Sequence, residues 1–540
     1  MSVLSLRPDL RRILSSAALV LVLAAGHGGG ARAQMGDISS AFDRSVAAAA
    51  SADAAVAQWY RETGYATLWT GPQDVARRAA LFEALATAGD HGLPVARYDA
   101  AGLRAGFHTA RTEGDLGRLE VAMTRAYLTF ARDLTSGMLE PAKIDKTIVR
   151  EIVPRDPGEM LLAVAMGDPR AALADLVPKS NAYAQLVRAK IGLEEAMGMD
   201  GWGAPVPGAG LRPGDSGARV VALRDRLIAM GYLARSATRD YDAAVQAAVH
   251  AFQLAHGLPA DGVAGGDTLA EINKTPEERL KSVLVAMERE RWMEIDREGR
   301  IIWVNLPDMT ARIVDDGATV FRTVAVIGRE DMDRRTPEFS DMMDHMVVNP
   351  SWGVPRSIIV GEYLPQLQRN RNAASHMQII DQQGRVVPRG SVNFASYTAR
   401  TFPFGMRQPP GDNNALGKVK FMFPNKYNIY LHDTPAKSLF SHDRRAYSHG
   451  CIRLADPFAF AHMLFGPEIE RIEEEFDRIL KTRNETRVTL ERKIPIHMVY
   501  FTAYPEGKGR IGYRRDIYDR DARLWAAMAE AGVALGPVSQ

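Results

Sequence analysis

The chain of 540 residues contains a single cysteine, Cys451. An intramolecular disulfide is therefore excluded, and disulfide pairs cannot take the place of a hydrophobic core. An excess of one charge sign is also missing, because 67 lysines and arginines nearly balance 65 aspartates and glutamates. Without a basic field, the composition gives no reason to expect a nucleic-acid partner. Hydrophobic residues make up 46% of the chain, as in globular domains, and the length predicts roughly three or four of them.

Long hydrophobic runs are scarce, and the run near the N terminus is short. Residues 1–33 combine a basic start, an apolar run from Ile13 to Ala25, and the small-residue sequence Ala31-Arg32-Ala33. The run is shorter than the roughly 20 residues that span a bilayer. This pattern predicts a cleavable signal peptide, with cleavage after Ala33, and hence a protein that acts outside the cytoplasm. A retained membrane anchor is the alternative.

Export makes the lone thiol informative, since exported proteins usually carry paired cysteines or none. Cys451 lies in the sequence YSHGCIRLADP, directly after a histidine-glycine pair. Two interpretations follow. The residue is either a buried and inert small hydrophobic side chain, or its reactivity is the reason for its presence.

The pattern of hydrophobic residues predicts a multidomain α+β protein. Apolar residues three and four apart predict helices in the N-terminal part and in a small module after a Gly- and Pro-rich linker. After Glu277 and one more helix the period changes to two, which predicts a predominantly β domain. We expect a helical scaffold at 34–196, a linker at 197–210, a three-helix module at 211–273, a connecting helix at 274–297, a β-rich domain at 298–480, and a strand and helix that complete it at 481–540.

One stretch of the β-rich domain, residues 355–393, interrupts the strand rhythm with the sequence RSIIVGEYLPQLQRNRNAASH. Insertions of this length in a compact domain are usually functional or mobile. We expect this stretch to form a lid over a functional site. An insertion without such a role is the alternative.

A cysteine thiol is mostly protonated at neutral pH, so a nucleophilic Cys451 needs a base or a positive neighbour. His432, His442 and His449 are the nearest histidines in the sequence. His432 lies near the end of the apparent strand NIYLHDTP, from which a loop can return to the thiol. A cysteine and a histidine brought together in this way can carry out covalent acyl transfer.

The residues around the thiol suit such chemistry. Gly450 permits close approach of a substrate to the backbone, and the amides of Gly450 and Cys451 can donate to a developing oxyanion. Asp456 and Pro457 predict the start of a helix directly afterwards. The thiol is therefore expected in a short connection that leads into a helix.

Three other interpretations remain open. His432, His442, His449 and Cys451 could together bind zinc, although their spacing matches no standard structural site. Ser448 could be a nucleophile, although the Gly-x-Ser-x-Gly elbow is missing. The cysteine could also be a buried structural residue with histidines nearby by chance.

The segment from His432 to SHGCIR resembles the signature of L,D-transpeptidases with a YkuD-type catalytic domain, enzymes that crosslink or trim peptidoglycan through a cysteine thioester. The segments VVNPSWGVP and RQPPGDNNALGKVKFMFPN resemble the large periplasmic subfamily with an N-terminal helical scaffold, which YRETGYATLW and GDHGLPVARYD also fit. The segments LRPGDSGARVVALRDRLIAMGYL and AVHAFQLAHGLPADGVAGGDTL resemble the small peptidoglycan-binding domain of cell-wall enzymes. A helical spacer that has lost binding is the alternative for this module.

The resemblance implies roles for individual residues. Cys451 would be the nucleophile and His432 the general base. A backbone carbonyl, expected at Asp433, would hold Nδ1 of His432, so that no acidic third residue is needed. Tyr430 and the amides of Gly450 and Cys451 would line the oxyanion site.

Other residues near the motif have less defined roles in this resemblance. His449 and Ser448 would shape the loop at the thiol. Arg453 would either bind a substrate carboxylate or brace the loop. Trp352 is either a wall of the cleft or a core aromatic residue, and Asp433 is a further candidate for contact with substrate.

The resemblance also implies the reaction. The thiolate attacks the carbonyl of the third stem-peptide residue, usually meso-diaminopimelate, terminal D-Ala leaves, and an amine of a second stem converts the thioester into a 3-3 crosslink. No metal and no organic cofactor takes part. Attack by water, by a free D-amino acid or by a protein lysine would instead make the protein a carboxypeptidase, an exchange enzyme or an anchoring enzyme. A non-catalytic wall-binding scaffold and a cysteine endopeptidase are alternatives from other classes.

The implied partners are peptidoglycan stem peptides in the periplasm, a donor tetrapeptide and an acceptor amine. A peripheral contact with the inner membrane or with the cell-wall synthesis machinery is compatible with this location. Carbapenems are expected to acylate Cys451. The oligomeric state is left open.

Overall fold

The computed structural model describes residues 40–293 and 298–536. The predicted signal peptide and its cleavage site lie outside the described residues. Within the described ranges, no helix combines the length and the hydrophobicity that a membrane span requires. The predicted fold class is confirmed, because helices fill the N-terminal part and the small module and a β-rich domain follows.

Amphipathic helices build the N-terminal part. They are α1 (Ala41–Ala50), α2 (Ala54–Glu62), α3 (Val75–Ala86), α4 (Ala100–Thr109), α5 (Glu113–Ser136), α6 (Pro141–Ile144), α7 (Pro157–Met166), α8 (Pro169–Ala174) and α9 (Asn181–Gly198). Helix α5 begins at a capping box between Thr112 and Asp115. It buries Tyr127 and Phe130 in the hydrophobic core of the scaffold. The buried carboxylate of Glu120 on the same helix accepts hydrogen bonds from backbone N–H groups of the loop before α3. This helix therefore organises the scaffold.

Three helices form the small module, and a fourth leads away from it. They are α10 (Ala218–Ala229), α11 (Ala243–Ala255), α12 (Gly266–Ile272) and α13 (Pro276–Arg291). Leu223, Leu227 and Phe252 lie in the core of the module. Leu280 and Leu284 of α13 instead lie in the scaffold core, so α13 belongs to the scaffold by its packing.

The β-rich domain is built around a sheet that, within the described residues, has nine strands. The strands of the whole domain are β1 (Arg300–Asn305), β2 (Thr310–Asp315), β3 (Ala318–Gly328), β4 (Phe339–Val348), β5 (Trp352–Gly353), β6 (Gln378–Ile380), β7 (Gly405–Gln408), β8 (Val419–Met422), β9 (Leu431–His432), β10 (Ala446–Ser448), β11 (Ile452–Leu454), β12 (Thr486–Val499), β13 (Ala503–Glu506) and β14 (Arg510–Tyr513). The order in the large sheet is β10-β3-β11-β9-β8-β4-β12-β1-β2. Because β2 also pairs with β3, the sheet closes on itself around a hydrophobic core.

An inserted unit, residues 352–408, has its own small sheet in the order β5-β7-β6. Between β5 and β6 it contains α14 (Arg356–Ile358), a π-helical turn (Ile359–Tyr363) and α15 (Leu364–Arg369). Phe394, Phe402 and Met406 lie in its separate core. The unit is longer than the predicted stretch 355–393, because β7 pairs with both β5 and β6 and so holds its two ends together.

The C-terminal part contributes to both the sheet and the scaffold. Helices α16 (Pro457–Phe465) and α17 (Ile472–Thr482) pack on the sheet, and the Phe460 ring lies 4.8 Å from the Phe421 ring between centroids. Strand β12 lies between β4 and β1. The last helix, α18 (Arg520–Glu530), differs from the expectation for 481–540. Its Leu524 and Met528 pack in the scaffold core instead of on the sheet.

Leu431 of β9 is fully buried, and it lies beside Ile452 of β11. We expect Leu431→Ala to lower the free energy of unfolding by about 2–5 kcal/mol, because it leaves a cavity in a packed core. The exposed Val320, changed to alanine, serves as the control and should cost less than about 0.5 kcal/mol. Urea unfolding followed by circular dichroism measures both. Equal midpoints for the two variants would contradict the packing described.

Candidate active site

Two short parallel strands bring the thiol and a histidine to the same face of the sheet. In the pairing of β9 with β11, Leu431 lies beside Ile452 and His432 beside Arg453. Side chains alternate along a strand, so the fully buried Leu431 and Ile452 point into the core, and His432 and Arg453 point to the opposite face. Cys451 precedes Ile452 and therefore shares the face of His432.

The imidazole of His432 is buried, and its orientation is fixed by the backbone. Nδ1 lies 2.5 Å from the carbonyl oxygen of Asp433, which confirms the predicted contact. A carbonyl oxygen can only accept, so Nδ1 carries the proton and donates it. Nε2 is then the unprotonated nitrogen that can accept a proton from a thiol.

The carboxylate of Asp433 is bonded within the protein. Oδ2 accepts from the backbone N–H of Lys418 at 2.9 Å, and Oδ1 accepts from Nζ of Lys437 at 2.7 Å. A side chain at Gly417 would collide with this carboxylate at 2.2 Å, so the loop needs a glycine there. The structure therefore places Asp433 as a support for the strand end, and not as a free group facing a substrate.

The thiol and the imidazole are both neutral at pH 7. Burial raises the pKa of the Cys451 thiol to about 11, although hydrogen bonds from Tyr430 and the charge of Arg453 act to lower it. Burial lowers the pKa of His432 to about 3, and the nearby charge of Arg453 adds to this effect. The Cys451 S–H points to the carbonyl oxygen of Asn428, at 3.5 Å from Sγ.

The guanidinium of Arg453 is largely buried beside the thiol. Burial lowers its pKa, and the interaction with Cys451 acts in the opposite direction. Its Nε has no hydrogen-bond partner, and within residues 40–293 and 298–536 no carboxylate forms an ion pair with it. A buried cation without a counterion is costly, so this side chain is suited to receive a carboxylate.

The loop before the thiol is held by its own hydrogen bonds. Gly450 has a φ of +112°, a conformation that L side chains rarely adopt. The hydroxyl of Ser448 donates to the carbonyl oxygen of Cys451 at 2.6 Å and accepts from the N–H of Gly450 at 3.0 Å. The hydroxyl is thus engaged as a loop brace, which disfavours Ser448 as a nucleophile. The Gly450 amide is not free for an oxyanion, contrary to the expectation.

Tyr430 and Trp352 lie next to the thiol. The Tyr430 ring is 5.6 Å from the His432 ring between centroids. Burial raises the pKa of the Tyr430 hydroxyl, and its hydrogen bond with Cys451 raises it further, whereas a hydrogen bond from Trp352 lowers it. Trp352 also packs against the core of the inserted unit. Its side chain therefore links that core to the active site.

His449 connects the thiol loop to the inserted unit. Its Nε2 lies 2.7 Å from Oε1 of Glu362 in the π-helical turn. The same carboxylate oxygen lies 3.3 Å from the guanidinium of Arg334. These contacts place the inserted unit against the active-site loop. Whether it moves as a lid stays a prediction.

The three histidines near the thiol do not converge. Nδ1 of His442 lies 2.7 Å from the hydroxyl of Tyr447, whereas His432 and His449 have the separate partners given above. In the part of the chain that the structure describes, no group of three or more His, Cys, Asp or Glu side chains is arranged to hold a metal ion. The zinc interpretation is therefore not supported.

Two residues at the site, Lys420 and Asn428, were not predicted from the sequence. Lys420 pairs with His432 across β8 and β9, so it shares the face of the imidazole, and burial lowers its pKa. The alternation of side chains along the strand sequence KVKFMF could have predicted the sheet face on which Lys420 lies. The sequence does not indicate a role for the carbonyl of Asn428, because every residue type has a backbone carbonyl.

A neutral thiol should react slowly at neutral pH. We expect the rate of Cys451 alkylation by iodoacetamide to rise about tenfold per pH unit up to pH 9 without a plateau, since the pKa of the thiol is about 11. Arg453→Gln removes a charge that lowers this pKa, so it should slow alkylation at pH 8, and Arg453→Lys should not. A plateau below pH 7 would reveal a preformed thiolate and contradict this description.

Comparison with known proteins identifies the three parts of the chain. Residues 299–466 match the model of the L,D-transpeptidase catalytic domain (YkuD), residues 54–189 that of a scaffold domain, and residues 216–272 that of a "Putative peptidoglycan binding domain". A Haemophilus influenzae protein named "Putative L,D-transpeptidase" is 32% identical over 242 residues, which are 44% of this chain and 48% of that protein. The chain thus spans about half the length of this curated relative.

Two crystal structures are also similar in part. The L,D-transpeptidase (residues 123–326) from Xylanimonas cellulosilytica is 16% identical, with 55% of this chain and 100% of that chain covered and a TM-score of 0.17. The L,D-transpeptidase (Yku) from Stackebrandtia nassauensis is 15% identical, with 55% and 97% covered and a TM-score of 0.21. TM-scores this low carry no argument about fold or function. Three parts of the chain are thus similar to a YkuD L,D-transpeptidase catalytic domain, a scaffold domain and a peptidoglycan-binding domain, in the residue ranges given above.

Proposed function

We propose that the protein is a peptidoglycan L,D-transpeptidase that forms 3-3 crosslinks through a thioester at Cys451. The pairing of β9 with β11 carries this proposal, because it sets the thiol on the face of His432. The bond from Nδ1 of His432 to the Asp433 carbonyl supports it further, since that bond leaves Nε2 as a base.

In the first half-reaction, Sγ of Cys451 attacks the carbonyl carbon of the third stem residue as Nε2 of His432 takes the thiol proton. The C–N bond to terminal D-Ala then breaks. The imidazolium returns the proton to the leaving amine, and the thioester remains. Both groups start neutral, so charge separates only during the attack, where the positive charge of Arg453 favours the thiolate.

The developing oxyanion needs hydrogen-bond donors. The N–H of Cys451 is one, since no acceptor for it is found among the described residues. The hydroxyl of Tyr430 is the second, because it already lies in contact with the thiol. The Gly450 amide is left out of this set, since it donates to Ser448.

Arg453 is proposed to bind a carboxylate of the donor stem. The register places Lys420 and Arg453 on opposite sides of His432, so positive charge flanks the base on its own sheet face. Arg453 lacks an acidic partner in the described ranges, and the nearest carboxylate to Lys420 is Glu485 at 3.9 Å. Stem peptides carry carboxylates at diaminopimelate and at the terminal D-Ala, which suits this pair.

In the second half-reaction, the side-chain amine of an acceptor stem attacks the thioester. His432 takes a proton from the amine and returns one to Sγ, so the free thiol is restored. Export to the periplasm and binding of the wall by the helical module would bring the enzyme to this substrate. The inserted unit is proposed to close over the bound peptides through Trp352 and Glu362.

The reaction requires both Cys451 and His432. We expect Cys451→Ala and His432→Asn each to reduce 3-3 crosslinks by at least about 10³-fold, since each removes the nucleophile or its base. The control is His442→Asn, whose exposed imidazole hydrogen-bonds with the hydroxyl of Tyr447 and which should leave crosslinking unchanged. Mass spectrometry of muropeptides after incubation of the purified proteins with sacculi measures the product.

The same spectra identify the acceptor. Tripeptides without crosslinks would indicate attack by water, and stems with a new terminal residue would indicate exchange with a free D-amino acid. Binding to sacculi should persist in Cys451→Ala, because the thiol is not part of the helical module. Undiminished crosslinking by Cys451→Ala would refute the thioester mechanism.

The lid proposal predicts a change in dynamics. Glu362→Gln removes the ion pair with Arg334 and weakens the contact with His449, so backbone hydrogen exchange in residues 356–369 should become faster. Glu83→Gln, which removes an ion pair between the exposed side chains of Glu83 and Arg170 in the scaffold, is the matched control. Equal exchange in these residues for both variants would show that Glu362 does not hold the unit in place.

A further inference from the structure

A threonine holds the peptide unit that joins Gly450 to Cys451. Thr336 is fully buried, and its Oγ1 donates to the carbonyl oxygen of Gly450 at 2.8 Å. A peptide unit is planar and trans, so its C=O and its N–H point in opposite directions. The hydrogen bond to the Gly450 carbonyl therefore also sets the direction of the Cys451 N–H. It polarises the same peptide, which makes that N–H a stronger donor.

The direction of the Thr336 hydroxyl hydrogen is fixed by a second hydrogen bond. Its Oγ1 accepts from the N–H of Gly328 at 3.0 Å, so its own hydrogen is directed to Gly450. Gly328 is fixed in turn, because the Tyr518 hydroxyl donates to its carbonyl at 2.6 Å. A side chain at Gly328 would lie 2.2 Å from the carbonyl oxygen of Arg334, so the backbone is packed closely at this point.

The scaffold reaches this segment from behind. Glu338, two residues after the threonine, donates its N–H to the Thr147 carbonyl at 2.8 Å, and the N–H of Val149 donates to the Glu338 carbonyl at 2.8 Å. The fully buried Arg520 donates to the Thr336 carbonyl at 2.9 Å and to Oγ1 of Thr147 at 2.6 Å. The segment is thus clamped between the scaffold loop and the start of α18.

Buried charges strengthen the clamp. The carboxylate of Glu338 accepts from Arg289 of α13 at 2.6 Å and from Arg520 at 3.2 Å. Arg289 also donates to Asp521 at 2.9 Å. Removing one member of such a buried cluster leaves an uncompensated charge, so the arrangement is held in one geometry.

We propose that Thr336 is a positioning residue that aims the Cys451 N–H at the oxyanion, and that the scaffold, through Thr147 and Arg520, holds Thr336 in place. The scaffold is then part of the catalytic apparatus. This inference rests on the proposed role of Cys451 as the nucleophile. It assigns Thr336 no contact with substrate.

The first test compares Thr336→Val with Thr336→Ser in the full mature chain. Valine keeps the shape and loses the donor, so the kcat for D-Ala release and the rate of acylation by a carbapenem should fall roughly ten- to a hundredfold, as expected when an oxyanion donor is misdirected. Serine keeps the donor and should remain within about threefold of the wild type. KM should change little, since the threonine does not touch the substrate.

Alkylation by iodoacetamide separates positioning from a general loss of structure. It is a displacement at carbon that forms no oxyanion, so Thr336→Val should alkylate at the wild-type rate while its acylation is slow. A parallel fall in both rates, or an equal defect in the serine variant, would overturn the assignment. Unchanged acylation in the valine variant would overturn it as well.

The second test addresses the scaffold. Thr147→Val removes the hydroxyl that Arg520 contacts, and acylation should slow about three- to tenfold with alkylation unchanged. Thr124→Val is the control, because this buried scaffold hydroxyl bonds to Trp69 and Tyr60 and to no residue of the clamp. Equal acylation rates for the two variants would overturn the role of the scaffold. If the wild type neither releases D-Ala nor is acylated, the proposed function itself is wrong and this inference falls with it.

Discussion

Strands β9 and β11 lie side by side in parallel, with Ile452 beside Leu431 and Arg453 beside His432. If β9 slipped by one residue relative to β11, His432 would point into the core and away from the thiol. The register is held because Leu431 and Ile452 are fully buried in the closed sheet. The short loop through Ser448 and Gly450, the strand-end support at Asp433 and the contacts of the inserted unit all act on this one strand pair.

Burial gives the site its electrostatic character. Desolvation keeps the thiol and the imidazole neutral, with His432 buried and Cys451 only partly exposed. Holding Nδ1 of His432 with a carbonyl oxygen avoids a buried acidic residue, which would favour a protonated imidazole. The positive charge of Arg453 disfavours the imidazolium and favours the thiolate. In the proposed mechanism, charge therefore develops at this site only when a substrate carbonyl is present.

The sequence predicted what depends on local pattern. The cysteine and histidine, the helix that begins after Asp456 and the helical and β-rich parts were available from motifs and periodicity, and the Asp433 carbonyl from the family resemblance. Contacts between distant segments were not. Thr336 lies 114 residues before the Gly450 carbonyl that it holds, and Glu362 lies 87 residues before His449. Nothing in either local sequence marks these residues.

Two expectations failed for physical reasons that only the folded chain reveals. The Gly450 amide is taken by Ser448, because the positive φ turns it back into the loop. The helix α18 packs on the scaffold, because its apolar residues four apart meet the core that α13 shares. The three parts of the chain are therefore joined by packing and buried charge as well as by their linkers.

The proposed thioester at Cys451 can be tested directly. Purified protein is mixed with a tetrapeptide stem, quenched with acid within one turnover, digested, and analysed by tandem mass spectrometry. The strand pairing described here predicts an adduct on Cys451 whose mass equals that of the stem without its terminal D-Ala, and predicts none with His432→Asn. An adduct on another residue, or release of D-Ala with Cys451 unmodified throughout, would contradict it.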